Sequence, residues 1–419
     1  MFYIASFCCK ISIMKTKLLG NAIYGQSGGP TSVINSSAYG VIKEAKKHSD
    51  TIDKIYAMHF GLEGLLDDDL IDLTKYSDED LKKLCNTPGA AFGSNRFKLP
   101  HYNVDTSLYE RIINTLKKYN IHYFFYNGGN DSMDTINKIS DYAKTIGYNL
   151  ICIGIPKTID NDLPFLDHTP GYPSAVRFIA NAVSEIVLDD ASYKIGRVNI
   201  VEIMGRNAGW LTAGSVLAKV NGTAPDLIYV PEVPFNIDTF LHDVKRIYEK
   251  KKHCVVCISE GIKDENGNLI FEANSAKDKF GHEQLGGVSI RLANIVNEQL
   301  GYKTRYFELS LLQRANSILP AQKDIKEAAK VGEFAVKKAL QGETGKIVTI
   351  KRTDSKFYKA KYELIDISLV ANKEKYLPLT YINKEHNYIN DSFIDYVLPL
   401  IEEQTSKQYK NGLLNIFKI

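Results

Sequence analysis

Charge of one sign is what this chain most clearly lacks. Lys plus Arg number 52 and Asp plus Glu 49 across 419 residues. So even a balance excludes a whole-chain attraction to nucleic acid or to an anionic membrane. Any anionic ligand must therefore be held by local clusters of Arg and Lys. Cysteine is scarce too: six in a chain of this length do not make a disulfide framework. Cys254-Val-Val-Cys257 has redox or zinc spacing, but it sits inside an apolar run and no second Cys or His pair accompanies it. It therefore reads as two buried thiols in a strand. Gly and Pro are not in excess, which excludes collagenous and low-complexity classes. No internal repeat and no disordered linker are visible. The apolar stretch Met1–Cys9 is far too short to span a bilayer. It also lacks the charged start and small-residue cleavage site of a signal peptide. Residues 1–13 read as an extension outside the fold, with Met14 a plausible second start, and the expected setting is cytoplasmic.

Apolar residues make up 44% of the chain, enough for a large core and for two or three domains' worth of material. Short runs rich in β-branched and aromatic residues predict strands at Leu18–Tyr24, His122–Tyr126, Leu150–Ile155, Val198–Ile203, Leu227–Val230, Cys254–Ile258 and Ile347–Ile350. Most are apolar throughout rather than alternating, the mark of parallel strands buried on both faces. Helical spacing of apolar residues lies between them, at Ser32–Lys47, Val176–Val187, Ile325–Ala339 and Phe393–Ile401. Asp264–Asn268 reads as the turn of a hairpin that continues in Leu269–Phe271. Alternation of strand and helix predicts doubly wound α/β domains.

Five of the strands run straight into polar or Gly-containing clusters. These are Gly25-Gln-Ser-Gly-Gly29, Asn127-Gly-Gly-Asn-Asp-Ser132, Pro156-Lys-Thr-Ile-Asp-Asn-Asp162, Met204-Gly-Arg206 and Ser259-Glu-Gly261. In open α/β sheets the ligand crevice lies at the carboxyl ends of strands, so the clusters are predicted to converge on one cleft. Gly25–Thr31 precedes a helix, where backbone N–H groups can approach phosphate oxygens. By itself it reads more readily as a plain tight turn, being neither a Walker motif nor a G-x-G-x-x-G fingerprint. Gly128–Ser132, with Asp134 close behind, offers acidic and amide groups for Mg²⁺ or an Asx turn capping a helix. Lys157 to Asp162 is the densest cluster. A carboxylate there can take the proton of a hydroxyl during phosphoryl transfer, and a lysine can neutralise the group in flight. Arg197, Arg206, Arg305 and Arg314 suit bidentate grip of phosphate.

In order and approximate spacing these clusters resemble the phosphofructokinase family. The matching stretches are Gly25–Asn35, Thr87–Phe97, Tyr126–Thr135, Ile153–Asp162, Arg197–Arg206, Ser259–Gly261 and Arg305–Arg314. The resemblance implies two doubly wound, Rossmann-like domains with the active site in the cleft between them. Residues 14–173 with about 313–345 would form the phosphoryl-donor domain. Residues 174–312 with about 346–419 would form the sugar-phosphate domain. It further implies that Asp160 is the general base for the sugar's 1-hydroxyl, and that Thr158 and Asp162 bind and orient substrates. Arg206 would stabilise the transferring group, with Met204 and Gly205 shaping the sugar site and Glu260 binding sugar hydroxyls. Arg197, Arg305 and Arg314 would hold the 6-phosphate. The first two would reach in from a neighbouring subunit, which implies a homodimer or homotetramer. Gly29, Arg96, Gly129 and Asn130 would lie at the donor.

Asp131 and Lys157 decide the donor. ATP-using members usually carry glycine at both places, whereas members similar to this chain use pyrophosphate. A carboxylate at Asp131 would crowd and repel a nucleotide's α-phosphate, and Lys157 would supply charge that pyrophosphate needs in the transition state. The implied reaction is pyrophosphate plus fructose 6-phosphate giving fructose 1,6-bisphosphate plus phosphate, reversibly and with Mg²⁺. The alternatives are an ATP-dependent enzyme of the same family and a non-catalytic regulatory subunit; Asp160, Lys157 and Arg206 argue against the latter. The chain departs from the family pattern at three places. Asn130 stands in place of a metal-associated aspartate, Leu311 in place of a histidine near the 6-phosphate, and Ala315-Asn316 in place of a glycine pair.

Overall fold

The strand β1 (Gly20–Gln26) is buried at all seven positions, as a strand covered on both faces must be. It lies inside a seven-stranded sheet in the computed structural model. The structure describes residues 18–270, 287–353, 355 and 357–401, with the strand pair Tyr409–Lys410 and Leu413–Leu414. The extension expected over residues 1–13 lies outside the described residues, as does Phe271 of the expected hairpin. The other strands of the first sheet are β2 (Ile52–Met58), β3 (Leu70–Asp72), β4 (Ile121–Gly128) and β5 (Ile151–Pro156). A second sheet holds β6 (Val198–Ile203), β7 (Leu227–Tyr229), β8 (Cys254–Ser259) and β9 (Thr304–Glu308). Then β10 (Lys346–Arg352) and β11 (Ala360–Asp366) return to the first. The sheet orders are β11-β10-β5-β4-β1-β2-β3 and β7-β8-β6-β9. The four-stranded sheet is parallel throughout, and the larger one is parallel except at its two edges, where β3 and β11 run antiparallel. The doubly wound α/β architecture expected from the sequence is the one observed.

The first lobe closes on two helices, Ile34–Lys46 and Gln322–Leu340. They cross so closely that a Cβ on Gly40 would lie 1.9 Å from the Ala329 oxygen, and one on Gly332 2.3 Å from the Ser37 oxygen. Only glycine allows that approach. The chain thus leaves the first lobe at the helix Tyr172–Ala191 and comes back to it with Gln322–Leu340.

The partition read from the sequence is corrected after residue 345. Lys346 and Ile347 pair with Ile153 and Gly154 of β5, and Ile347, Val348 and Ile350 are buried in the first lobe's core. Residues 346–366 therefore belong with the donor sheet. Further on, Phe393, Val397 and Leu400 of the helix Ser392–Ile401 share a core with Tyr172, Val176 and Trp210. β9 escapes a reading by hydrophobicity because it is an edge strand, with Arg305, Tyr306 and Glu308 exposed. The expected hairpin turn is present, as Lys263 bridges Leu269 across Asp264–Asn268. Cys254 and Cys257 are buried free thiols, and burial pushes Cys257 up to about 12. They are inert, as the strand reading required.

Candidate active site

The carboxyl ends of β1, β4, β5, β6 and β8 face one cavity of about 970 Å³ between the two sheets. Its lining includes Gly29, Arg96, Gly129, Asn130, Asp131, Lys157, Thr158, Asp160, Asp162, Met204, Arg206, Glu260 and Arg314. The sequence clusters thus do converge, and they come from both lobes.

The turn after β1 is built by side chains behind it. Gln26 donates to Asn35 at 2.8 Å and accepts from the Phe92 N–H at 3.2 Å. Asn35 donates to the Thr87 and Gly89 oxygens at 2.8 and 2.9 Å. The Gly28 N–H donates to the Asn95 oxygen at 2.9 Å, and Ser94 Oγ donates to the Gly28 oxygen at 2.7 Å. These bonds lock Thr87–Phe97 against Gly25–Gly29 and so bring Arg96 to the turn. After β4, Asn130 opens the helix Asn130–Thr145, whose N-terminus faces the cavity. Such an end, with its free N–H groups, favours phosphate. The Asn130 amide oxygen already accepts from the Asp131 N–H at 2.7 Å, so it orients the helix start. Asp134 does not line the cavity; it is paired with Lys138 at 2.6 Å.

The loop after β5 carries the dense charge. Lys157 is only 3% exposed, and its Nζ donates to the Gly29 oxygen at 2.7 Å. Burial lowers it to about 7, and the charge of Arg96 acts in the same direction while Asp160 opposes. Thr158 Oγ1 accepts from the Asp160 N–H at 3.0 Å and donates to its carboxylate at 3.3 Å. Burial raises Asp160, while Thr158, Lys157, Arg314 and Arg96 pull it back. Asp162 rises to about 7 through burial and the neighbouring charges of Asp160 and Glu374.

From the second lobe, the Gly205 N–H donates to Glu260 at 3.2 Å. Gly205 itself is therefore behind the lining. Ser259 Oγ in turn donates to the Gly205 oxygen. Burial pushes Glu260 up to about 7 against the pull of that N–H. Arg314 was expected at the sugar 6-phosphate, yet its guanidinium lies 3.0 Å from where a Cβ of Gly29 would stand. It reaches the donor turn, and Ser32 Oγ donates to the Arg314 and Asn316 oxygens from the other side.

Arg197 and Arg305 do not line the cavity of their own chain. Arg197 lies over the Tyr193 ring at 5.3 Å, and Arg305 is 3.9 Å from Asp189 on the outer edge of the second sheet. Sequence reasoning missed Asn207, Asn372, Glu374 and Tyr376, all of which line the cleft. The last three come from a segment after β11 that carries no motif. No signal in the sequence marks them.

Cations around one glycine turn, carboxylates facing them and backbone N–H groups at a helix start are what in-line phosphoryl transfer demands. The fold and site are those of a two-lobed α/β phosphotransferase. Residues 21–339 match the family model described as phosphofructokinase, and the chain belongs to that family. A pyrophosphate–fructose 6-phosphate 1-phosphotransferase of Halomonas elongata is 40% identical over 402 residues, covering 95% of this chain and 96% of that protein. Another of the same description, from Xanthomonas campestris pv. campestris, is 42% identical over 393 residues and covers 93% of each. The crystal structure of a pyrophosphate-dependent phosphofructokinase from Marinobacter aquaeolei superposes with a TM-score of 0.86 at 39% identity and covers 96% of each chain.

Proposed function

We propose that this chain transfers a phosphoryl group from inorganic pyrophosphate to the 1-hydroxyl of fructose 6-phosphate, giving fructose 1,6-bisphosphate and phosphate. The observation that carries the reading is the pair Asp131 and Lys157, both at the donor end of the cavity, with the lysine ammonium seated on the Gly29 turn. Relatives of nearly equal length carry the same activity in their descriptions. Asp160 accepts the proton of the 1-hydroxyl. Lys157 and Arg206 stabilise the phosphoryl group as its bond to the leaving phosphate breaks and its bond to the sugar oxygen forms. Arg96 and Gly129 hold the donor, and Thr158, Asp162, Met204 and Glu260 hold the sugar. Phosphate and sugar phosphate leave by the reverse of entry, and the same groups serve the reverse reaction.

The residues fit Mg²⁺ carried on the donor. Among the described residues no three His, Cys, Asp or Glu side chains converge as a metal cage. Mg²⁺ needs none, since it keeps most of its waters and takes one or two carboxylates with substrate phosphates. Asp131, beside the amide of Asn130, lines the cavity and can serve. When bound, the ion neutralises the donor's phosphate oxygens.

Arg197 and Arg305 act on the 6-phosphate in a homodimer or homotetramer, each reaching the site of a second copy. Exposed Leu188, Tyr193 and Ile195 on and after the helix Tyr172–Ala191, with exposed Tyr306 on the edge strand β9, support such a contact. No described helix is long and apolar enough to cross a membrane; buried free thiols and sugar-phosphate substrates support a cytoplasmic setting. Phosphorus NMR of the enzyme with fructose 6-phosphate, Mg²⁺ and pyrophosphate tests the reading. Loss of the pyrophosphate signal with equal gain of a 1-phosphate ester and free phosphate is expected. An unchanged spectrum refutes it.

A further inference from the structure

The loop that carries Asp160 and Asp162 is strained. Asn161 and Phe165 both have positive φ, 54° and 67°, a region that a bulky side chain such as that of Phe165 rarely enters. Such a loop holds its shape only where its surroundings enforce it. The enforcing group comes from the motif-free segment after β11. Lys375 Nζ donates to Asn161 Oδ1 at 3.2 Å, to the Leu166 oxygen at 3.0 Å and to the Asp167 oxygen at 3.2 Å. An ammonium has three protons, and all three are used on this one loop. The Lys375 main-chain N–H adds a bond to the Asp162 oxygen at 2.6 Å.

The same residue holds the other lobe. Its Nζ is 4.8 Å from the centroid of the Trp210 ring, and its oxygen accepts from Trp210 Nε1 at 3.0 Å. Trp210 opens the short helix that follows the Met204–Gly209 loop, where Arg206 stands. Glu374 beside it accepts from Asn207 at 3.0 Å on that loop. One residue therefore touches both the segment of the carboxylates and the segment of the arginine.

We infer that Lys375 is a positioning residue that fixes the Asp160–Asp162 loop against the Trp210 end of the Arg206 loop, and so sets the distance across which the phosphoryl group is transferred. The inference rests on the reading of Asp160 as the base. Two of the lysine's acceptors have second donors: Asn161 Oδ1 accepts from the Thr169 N–H at 3.2 Å, and the Asp167 oxygen from Tyr396 at 2.6 Å. Losing the ammonium thus loosens the loop without unfolding the lobe.

The test is Lys375→Met, assayed beside the wild type with pyrophosphate, fructose 6-phosphate and Mg²⁺. A displacement of about 1 Å can lower turnover about 100-fold. The expected result is a loss of kcat of about that size, larger than any rise in KM for either substrate. Trp210 is the chain's single tryptophan, so its fluorescence is not mixed with that of any other, and its emission is expected to shift in the ligand-free variant. In Lys375→Ala, ethylammonium chloride is expected to restore part of kcat where tetramethylammonium chloride at equal concentration does not. Wild-type kcat in Lys375→Met, a loss confined to KM, or no amine rescue overturns the inference. Should Lys375→Met fail to melt cooperatively, Lys375→Arg decides. Its planar fork cannot serve three converging acceptors, so a loss of about tenfold in kcat is expected, and wild-type kcat overturns the inference. A wild-type enzyme inert with pyrophosphate would instead sink the function proposed above.

Discussion

The Lys157 ammonium donates to the main-chain oxygen of Gly29 at 2.7 Å, joining the loop after β5 to the turn after β1. Burial and the neighbouring arginines leave that ammonium poorly stabilised, and a polyanionic donor reverses the balance. Lys157→Met keeps the stem and removes the charge. Turnover with pyrophosphate is expected to fall 10²- to 10³-fold, the scale of losing one group that stabilises transition-state charge. KM for fructose 6-phosphate should change little. Steady-state kinetics check it, and a rate within threefold of wild type would contradict the role.

Asp160→Asn preserves shape and removes the base. A loss of several orders of magnitude in kcat is expected, with fructose 6-phosphate binding within a fewfold by calorimetry. Equal losses in binding and turnover would make Asp160 a binding group only.

Gly261 has no room for a side chain, because a Cβ there would lie 1.8 Å from the Arg206 oxygen. Gly261→Ala must therefore displace Arg206 while leaving its charge in place. A loss of about 100-fold in kcat is expected from so small a shift, together with a lower Tm. Normal kinetics in this variant would show that Arg206 needs no exact placement.

Glu260, raised by burial to about 7, ties stability to pH. A carboxyl whose folded pKa lies above its unfolded value is stabilising while protonated, and that contribution is lost as pH rises through the folded pKa. The window runs from its ordinary value of 4.5 up to about 7. Glu260→Gln stays neutral and still accepts from the Gly205 N–H. The variant is expected to be more stable than wild type at pH 8, by about 2 kcal/mol after discounting for partial exposure. The gain should shrink toward zero at pH 4. Thermal melts of the ligand-free proteins at the two pH values check this, and a gain independent of pH would contradict it.

How much of this could be read beforehand follows from how each residue reports its surroundings. Strands such as Tyr123–Tyr126 and Cys254–Ile258 are apolar at every position, so their burial on both faces and the clusters at their carboxyl ends were visible. β2, interrupted by exposed Asp53 and Lys54, and β9, with Arg305 and Tyr306 outside, carried no such mark. Ile347–Ile350 was legible as a strand, but its partner is chosen by the crossing of Gln322–Leu340 over the first lobe, a tertiary fact. Arg314 was legible as a cation of the cleft but not its reach to Gly29, which depends on how Ser32 draws its backbone in. Glu374 and Lys375 acquire their meaning only from what they touch. Their own sequence, Asn372-Lys-Glu-Lys-Tyr376, reads as a solvated turn.

The most direct measurement of the central claim is the ratio of kcat/KM for pyrophosphate to that for ATP, with saturating fructose 6-phosphate and Mg²⁺. Asp131 at the donor end and Lys157 on the Gly29 turn predict a ratio above about 10³, worth roughly 4 kcal/mol of transition-state preference. A ratio near one, or a preference for ATP, would contradict the account of those two residues.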